Sequence, residues 1–260
     1  EFRRVLFRSE VNLYRQNGLW YFKEAKNYFV NVERLADFFK VADEVVVEQV
    51  ITVQDEEARQ KALEPANGTI VRTYGADDKM LDALIIGKRA DKDSVWARTE
   101  KNERQAFLIG PVEKFSGHPM DWIPYPLFAI EYNAIDWLYA RKHLLNRDKL
   151  EDRIIRSPKM RRFILTLQYV DYVGLIYKNE LSADDTAQVE SKHLEIGMEN
   201  GLVYRLDVYK VGDSFWLGIE LKADKIARTG ISGFVEQNQK YYADWLFQLN
   251  DEQGSILFDL

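Results

Sequence analysis

The amino-acid sequence predicts an α+β protein, mainly antiparallel sheet with packed helices, built from two diverged tandem copies of one unit. Short runs rich in aromatic and β-branched residues alternate with turn residues along most of the chain. Two amphipathic helix patterns each run into an apolar strand pattern. Six apolar positions of the first pattern recur in the second at a constant spacing of 128 residues, which indicates an internal repeat. These positions are Val32, Leu35, Ala36, Phe39, Ala42 and Val45, then Met160, Phe163, Ile164, Leu167, Val170 and Val173.

The first nine residues, EFRRVLFRS, are the translation of the end of a common sequencing-library adapter. We therefore interpret 1–9 as non-native and place the first native residue near Glu10, so the native N-terminus is expected to be missing from this fragment. Without those residues the net charge falls from −6 to −8. An acidic chain is a poor general ligand for nucleic acid, and no nucleic-acid partner is expected.

Composition bounds the domain count and excludes several kinds of site. A chain that is 46% hydrophobic and about 250 residues long can bury two cores, and we divide it into units at 10–125 and 126–260. The absence of Cys excludes disulfides, thiolate nucleophiles and cysteine-based metal sites. No run of 18 apolar residues occurs, so no segment of this sequence is predicted to span a membrane.

The first unit opens with a predicted hairpin, since Asn17-Gly18 separates strands at about 11–15 and 19–24. Asn31 is positioned as the N-cap of the first amphipathic helix, and a strand rich in valine follows at 45–52. A short helix at 55–63 and three strands complete the unit. The strands are predicted at 69–74, 80–87 and 95–100, with Asp77-Asp78 and Asp91 to Asp93 in the turns between them rather than as paired catalytic or calcium-binding carboxylates.

The start of the second unit has two interpretations. Helical spacing of apolar residues favours a helix over about 127–145, and the alternative is a hairpin that turns at Asn133-Ala134. Ser157-Pro158 then begins the second copy of the amphipathic helix, which runs to about Tyr172. An acidic loop at 182–189 precedes predicted strands at 193–198, 203–209 and 214–222.

Several stretches resemble a known family, the domain of unknown function 4340. They are NGLWYF, NYFVNVERLADFFKVADEVVVEQVI, LIIGKRADKDSVWARTE, QAFLI at 105–109 and DWI at 121–123. The resemblance covers 10–123 well and the remainder in patches, and WLFQL at 245–249 is similar to the family's final strand. The region at 128–153 departs from the family pattern.

The resemblance implies a location and a role. Members of that family are envelope proteins, usually with one N-terminal membrane helix before a β-rich exported region, and they often accompany ABC-type transporters linked to gliding motility. The expected function is therefore a non-enzymatic, envelope-exposed accessory or interaction module of an ABC-type transport or motility system. It would lie on the periplasmic side of the inner membrane, held by an N-terminal anchor absent from this fragment, with transport or motility components as partners. The resemblance implies no catalytic residues and no cofactor.

Two other function classes stay open, namely a carboxylate-based hydrolase of envelope polysaccharide and a glycan- or small-ligand-binding module. A deep pocket with two carboxylates about 5–10 Å apart would favour the hydrolase. His118, His143 and His193 lack metal-ligand spacing. The segment at 230–233 is too short for a nucleophile elbow and is predicted to be a loop. Trp20, Trp96 and Trp216 alternate with polar residues, so we expect core packing rather than a sugar-stacking platform.

One cluster is a candidate site for an anion or a partner. Five cations occur within ten residues around the start of the second amphipathic helix. A helix N-terminus with adjacent arginines can bind a lipid headgroup or a partner's carboxylates. The alternative is a solvated face that Glu151 and Asp152 neutralise. The cluster comprises Arg153, Arg156, Lys159, Arg161 and Arg162.

Overall fold

A computed structural model of the chain describes residues 11–260 except 45, 53–68, 76, 78, 90–91, 93, 102–104, 111–118 and 181–188. Antiparallel strands dominate it and a few helices accompany them, so the predicted α+β class is confirmed. The adapter-like segment 1–9, the short helix predicted at 55–63 and all but the last residue of the loop at 182–189 lie outside the described residues.

The elements predicted in the described part of the first half occur in the predicted order, and two further strands, Tyr28–Phe29 and Gln105–Gly110, were not predicted. Asn17 and Gly18 form the hairpin turn with φ of 51° and 82°, and the side chain of Asn31 accepts hydrogen bonds from the backbone N–H groups of Glu33 and Arg34, each 3.1 Å long. The elements are β1 (Leu13–Gln16), β2 (Leu19–Phe22), β3 (Tyr28–Phe29), α1 (Val32–Glu44), β4 (Val46–Thr52), β5 (Thr69–Tyr74), β6 (Met80–Arg89), β7 (Val95–Thr99) and β8 (Gln105–Gly110).

The second half contains the longer strands. Ser157 caps the second amphipathic helix as predicted, because its hydroxyl accepts a hydrogen bond from the backbone N–H of Met160. The elements are β9 (Ile135–Ala140), β10 (His143–Asn146), α2 (Arg147–Arg156), α3 (Pro158–Leu167), β11 (Gly174–Tyr177), β12 (Glu190–Met198), β13 (Leu202–Val211), β14 (Ser214–Ala223), α4 (Ile231–Asn238), β15 (Trp245–Leu249) and α5 (Asp251–Asp259).

Three antiparallel sheets organise these strands. The hairpin and β3 form a small sheet, a five-stranded sheet has the order β4-β8-β7-β6-β5, and a seven-stranded sheet has the order β10-β9-β12-β13-β14-β15-β11. In each of the two larger sheets, one edge strand directly follows an amphipathic helix in the chain: β4 follows α1, and β11 follows α3. This edge strand lies beside the strand that comes last in the sequence, β8 or β15. The strands between these two in the sequence then lie side by side in reverse sequence order. The five-stranded order is thus repeated within the seven-stranded sheet.

Contacts divide the chain into two compact units that differ from the predicted division at 125/126. One unit includes Val30–Trp122, and the other combines Leu13–Phe29 with Ile123–Leu260. The N-terminal hairpin therefore packs with the second unit. Tyr28 is buried there against the rings of Trp245 and Phe247, at centroid distances of 5.0 and 5.9 Å.

The helix predicted at 127–145 is wrong. Leu127 and Ile130 lie outside any helix, and their N–H groups donate to the carbonyls of Val170 and Leu167. Beyond them β9 and β10 form a hairpin, as in the alternative interpretation, but its turn is at Arg141-Lys142, with φ of 49° and 67°, rather than at Asn133-Ala134. β9 forms backbone hydrogen bonds with β12, which is distant in the sequence. The spacing of apolar residues within 127–145 carries no information about such a long-range pairing.

The loop predicted at 230–233 is also incorrect, because α4 begins inside it. Gly230 has a φ of 94° and precedes the first helical residue, Ile231. Glycine adopts this left-handed conformation without a steric penalty. Gly233 then lies within the helix.

Two helical glycines are expected to respond oppositely to substitution by alanine. A Cβ on Gly254 in α5 would lie 2.3 Å from the Cβ of Phe215, whereas a Cβ on Gly233 would meet nothing within 4 Å. We expect Gly254→Ala to lower the free energy of unfolding by about 1–3 kcal/mol through overpacking. Gly233→Ala should raise it by about 0.5–1 kcal/mol, since alanine is the better helix former. Urea denaturation of both variants tests this, and equal signs would contradict the packing of α5 on β14.

Candidate functional site: a basic helical corner and a charged sheet ladder

The five predicted cations lie where α2 ends and α3 begins, and all five are exposed. Arg153 and Arg156 belong to the last turn of α2, and the others belong to α3. Ser157 alone separates the two helices, so the structure brings the predicted set together in one basic corner. The basic corner comprises Arg153, Arg156, Lys159, Arg161 and Arg162.

Neighbouring acids neutralise little of the basic corner. Arg156 pairs with Asp152 at 3.1 Å, whereas Glu151 lies 3.6 Å from Arg147, outside the corner. No ion pair within the described part of the chain involves Arg153, Lys159 or Arg162. In the alternative interpretation, Glu151 and Asp152 neutralise these cations. The structure shows such an ion pair for one of the five, Arg156.

Arg161 has a structural task within the corner. Its guanidinium donates to the carbonyl oxygens of Ile154 and Ile155, at 3.5 and 3.2 Å. Those carbonyls belong to the last turn of α2, where helix carbonyls lack intrahelical partners. Arg161, a residue of α3, thus caps the C-terminal end of α2. Its guanidinium charge therefore lies beside Ile155.

A second group of charges forms a ladder across β12, β13 and β14. Arg205 on β13 lies directly opposite Glu195 on β12 and Glu220 on β14, and its guanidinium reaches their carboxylates at 2.7 and 3.1 Å. Lys222 extends the ladder to Glu220 at 3.2 Å. The sequence-based search missed this group. Alternation of charged and apolar residues along β12 and β13 was the available signal, but only the strand register aligns the three charges.

The electrostatics of the ladder favour the ionised form of Glu195. Burial opposes ionisation of Glu195, but hydrogen bonds from Arg205 and His193 outweigh it, so the pKa of this carboxyl is lowered. The hydrogen bond to Glu195 raises the pKa of Arg205 although desolvation opposes it. In the first unit an ion pair of 2.9 Å joins Arg72 and Glu100, and it lowers the pKa of Glu100.

His193 belongs to the same ladder rather than to a catalytic dyad. Its Nδ1 lies 2.7 Å from a carboxylate oxygen of Asp207, and its Nε2 lies 3.4 Å from one of Glu195. A catalytic base needs one ring nitrogen directed at a nucleophile or substrate. Both nitrogens of His193 face carboxylates instead. His143 is exposed on β10, and His118 lies outside the described residues.

A shallow cavity of about 230 Å³ lies beside the hairpin turn of the second unit. No Asp or Glu is among its lining residues, so it is not the two-carboxylate pocket that a hydrolase of the predicted kind requires. Arg141, Lys142 and Lys192 make its wall basic. The other lining residues are Tyr139, Ser191, His193, Leu194, Phe258 and Leu260.

The three tryptophans expected to be buried differ in exposure. Trp216 is buried, in agreement with the expectation, whereas Trp20 and Trp96 are half-buried. Among the described residues, no group of His, Asp and Glu could hold a metal ion. None of the helices in that same part of the chain combines the length and apolar character needed to cross a membrane.

Comparison with known proteins adds no assignment. No family model, curated protein or solved structure matches the chain.

Proposed function

We propose that the protein is a non-enzymatic, envelope-exposed accessory module of an ABC-type transport or motility system, and that it binds a partner through the first unit. The observation that carries the proposal is the exposure of the apolar stripe of α1. The resemblance to the domain of unknown function 4340 supports the location, on the periplasmic side of the inner membrane, and the membrane anchor upstream of this fragment.

The proposal includes the internal repeat. The shared strand order of the two larger sheets supports it, and so does their register. Val95 pairs with Ile109 where β7 meets β8, and Phe215 pairs with Leu249 where β14 meets β15. The next pairs inward are Trp96 with Leu108 and Trp216 with Gln248. Corresponding strands thus carry a tryptophan at the same position relative to the neighbouring strand.

The two copies differ in what covers the helix. In α3 the repeated apolar positions are buried, and Phe163 and Leu167 have no exposed surface. In α1 Leu35 alone among the repeated positions is buried, whereas Val32 and Phe39 are 65% and 49% exposed. Ala36 and Ala42 are exposed as well. An apolar stripe of this kind on a soluble helix is typical of an interaction surface.

The second unit indicates what kind of partner fits. There α5 packs against α3, and Gln253 of α5 donates to the carbonyl of Tyr169 and accepts from the N–H of Asp171, just beyond α3. In the first unit the short 3-10 helix Pro119–Trp122 follows β8 and contacts α1. The rings of Trp122 and Phe38 lie 5.6 Å apart, but Val32 and Phe39 stay exposed. We therefore assign the exposed part of the stripe, Val32 and Phe39, to an amphipathic helix of a partner protein.

Site-specific photo-crosslinking in the source cells tests this proposal. A photoreactive phenylalanine analogue replaces Phe39, and the same analogue at Leu144, which is 59% exposed on β10, is the matched control. We expect a crosslinked product with a transporter or motility subunit from position 39 and none from position 144. Phe39→Asp should abolish co-purification of that subunit. Crosslinking only to a second copy of this chain, or to nothing, would overturn the proposal.

A further inference from the structure

The basic corner lies in an unusually cationic stretch of an acidic chain. The segment 153–170 contains five Arg or Lys residues and no Asp or Glu, although the whole chain carries a net charge of −6. Four of those cations are outside the single ion pair of Arg156 with Asp152. A local field of this sign attracts anionic surfaces.

Exposed apolar side chains accompany the cations. Ile155 is 73% exposed and Leu165 is 58% exposed. Arg161 donates a hydrogen bond to the carbonyl of Ile155. Ile155 therefore lies next to the cations of the basic corner. Arg162 and Leu165 are one helical turn apart on α3, and both are exposed.

The combination of cations with exposed aliphatic side chains favours one class of anionic partner over the others. Nucleic acid is bound mainly through phosphate contacts and stacking on planar groups, and exposed aliphatic side chains add little to either. The interface of a bilayer accepts both features, since headgroup phosphates bind Arg and Lys while aliphatic side chains enter the acyl boundary.

We propose that the basic corner, together with Ile155 and Leu165, is a docking surface for the anionic phospholipid headgroups of a membrane. The cations bind the headgroup phosphates, and the two aliphatic side chains insert between the lipids. This surface belongs to the second unit and does not depend on the helix-docking stripe of α1, so either proposal can fail without the other.

Vesicle co-sedimentation of the full chain tests the charge component. The probes are phosphatidylcholine vesicles with and without phosphatidylglycerol. The variant Arg153→Gln/Lys159→Gln/Arg162→Gln retains Arg161 and its helix cap. Because each cation near such a surface contributes about 1 kcal/mol, we expect the partition coefficient to fall about 100-fold. The control Lys23→Gln/Lys40→Gln/Lys101→Gln removes the same charge from exposed positions elsewhere and should leave partitioning within about twofold.

A second variant tests the apolar component. Ile155→Ser/Leu165→Ser keeps every charge, and we expect at least a tenfold loss of partitioning with an unchanged circular dichroism spectrum. Equal partitioning of both triple variants, or equal binding to vesicles without phosphatidylglycerol, would overturn the proposal. Polyglutamate and duplex DNA are the competing probes. If either binds as tightly as vesicles do, and the serine substitutions do not weaken that binding, the proposal is also overturned. The occupant would then be an acidic protein or a nucleic acid.

Discussion

Tyr28→Ala is expected to lower the free energy of unfolding of the second unit by about 3–5 kcal/mol, as truncation of a fully buried aromatic residue usually does. Tyr28 is 1% exposed, its ring packs edge-on against Trp245 and Phe247, and its hydroxyl donates to the carbonyl of Tyr241 at 3.0 Å. The variant loses both the apolar burial and this hydrogen bond. It also weakens the attachment of the N-terminal hairpin, which Tyr28 joins to β15.

Chemical denaturation measures the total effect, and hydrogen exchange localises it. We expect faster exchange in β11 and β15, with β6 and β7 unchanged, because Tyr28 belongs to the second compact unit. Leu144→Ala is the control, since Leu144 is largely exposed on an edge strand and its truncation should cost less than about 0.5 kcal/mol. Similar losses for both variants would contradict the placement of the hairpin.

Alkali is expected to unfold the second unit, because its buried tyrosines resist ionisation. Burial, followed by repulsion from Tyr204 and Tyr241, raises the pKa of Tyr242 from 10.0 to about 12. Burial is also the main reason why the pKa values of Tyr28 and Tyr172 are raised. Above the unfolded-state value of 10.0, the folded chain therefore binds more protons than the unfolded chain.

The sign of the pH dependence follows from this difference. The stabilisation is fully present below pH 10 and is lost as the pH rises through the folded-state pKa values, at about 1.4 kcal/mol per pH unit for each tyrosine. Tyr242 alone should lose about 3 kcal/mol between pH 10 and 12.

Circular dichroism and tyrosinate absorbance, followed together against pH, measure this transition. Tyr242→Phe removes one titrating group and should reduce the slope of the unfolding free energy against pH by about 1.4 kcal/mol per unit. Leu144→Ala, which removes no titrating group from an exposed position, should leave the slope unchanged. Tyrosine ionisation that is complete before the secondary structure is lost would show that the cluster is accessible to solvent.

Those parts of the fold that depend on interactions between residues close in the sequence were predictable. Asn17-Gly18 satisfies the positive φ of a tight hairpin turn, and Asn31 and Ser157 cap helices through their own neighbouring N–H groups. These interactions span three residues or fewer. The basic corner was predictable for the same reason, since residues on either side of Ser157 are close in any helical corner.

The hairpin at 135–146 shows where local rules stop. Arg141 and Lys142 adopt left-handed φ without the Asn-Gly signature, and the backbone of β9 is satisfied by β12, more than 50 residues away in sequence. The charged ladder has the same origin, because Glu195, Arg205 and Glu220 meet only through strand register.

By itself the sequence determined the α+β class, the amphipathic helices, the element boundaries around capped turns and the clustering of the five cations, all of which depend on interactions between near neighbours in the chain. Only the tertiary structure decided which apolar stripe is buried and where the N-terminal hairpin packs. The stripes of α1 and α3 have the same spacing, yet Phe163 is fully buried while Phe39 is half exposed. Burial depends on a second surface that removes water from the first, and in α3 that surface includes α5, which is distant in the sequence.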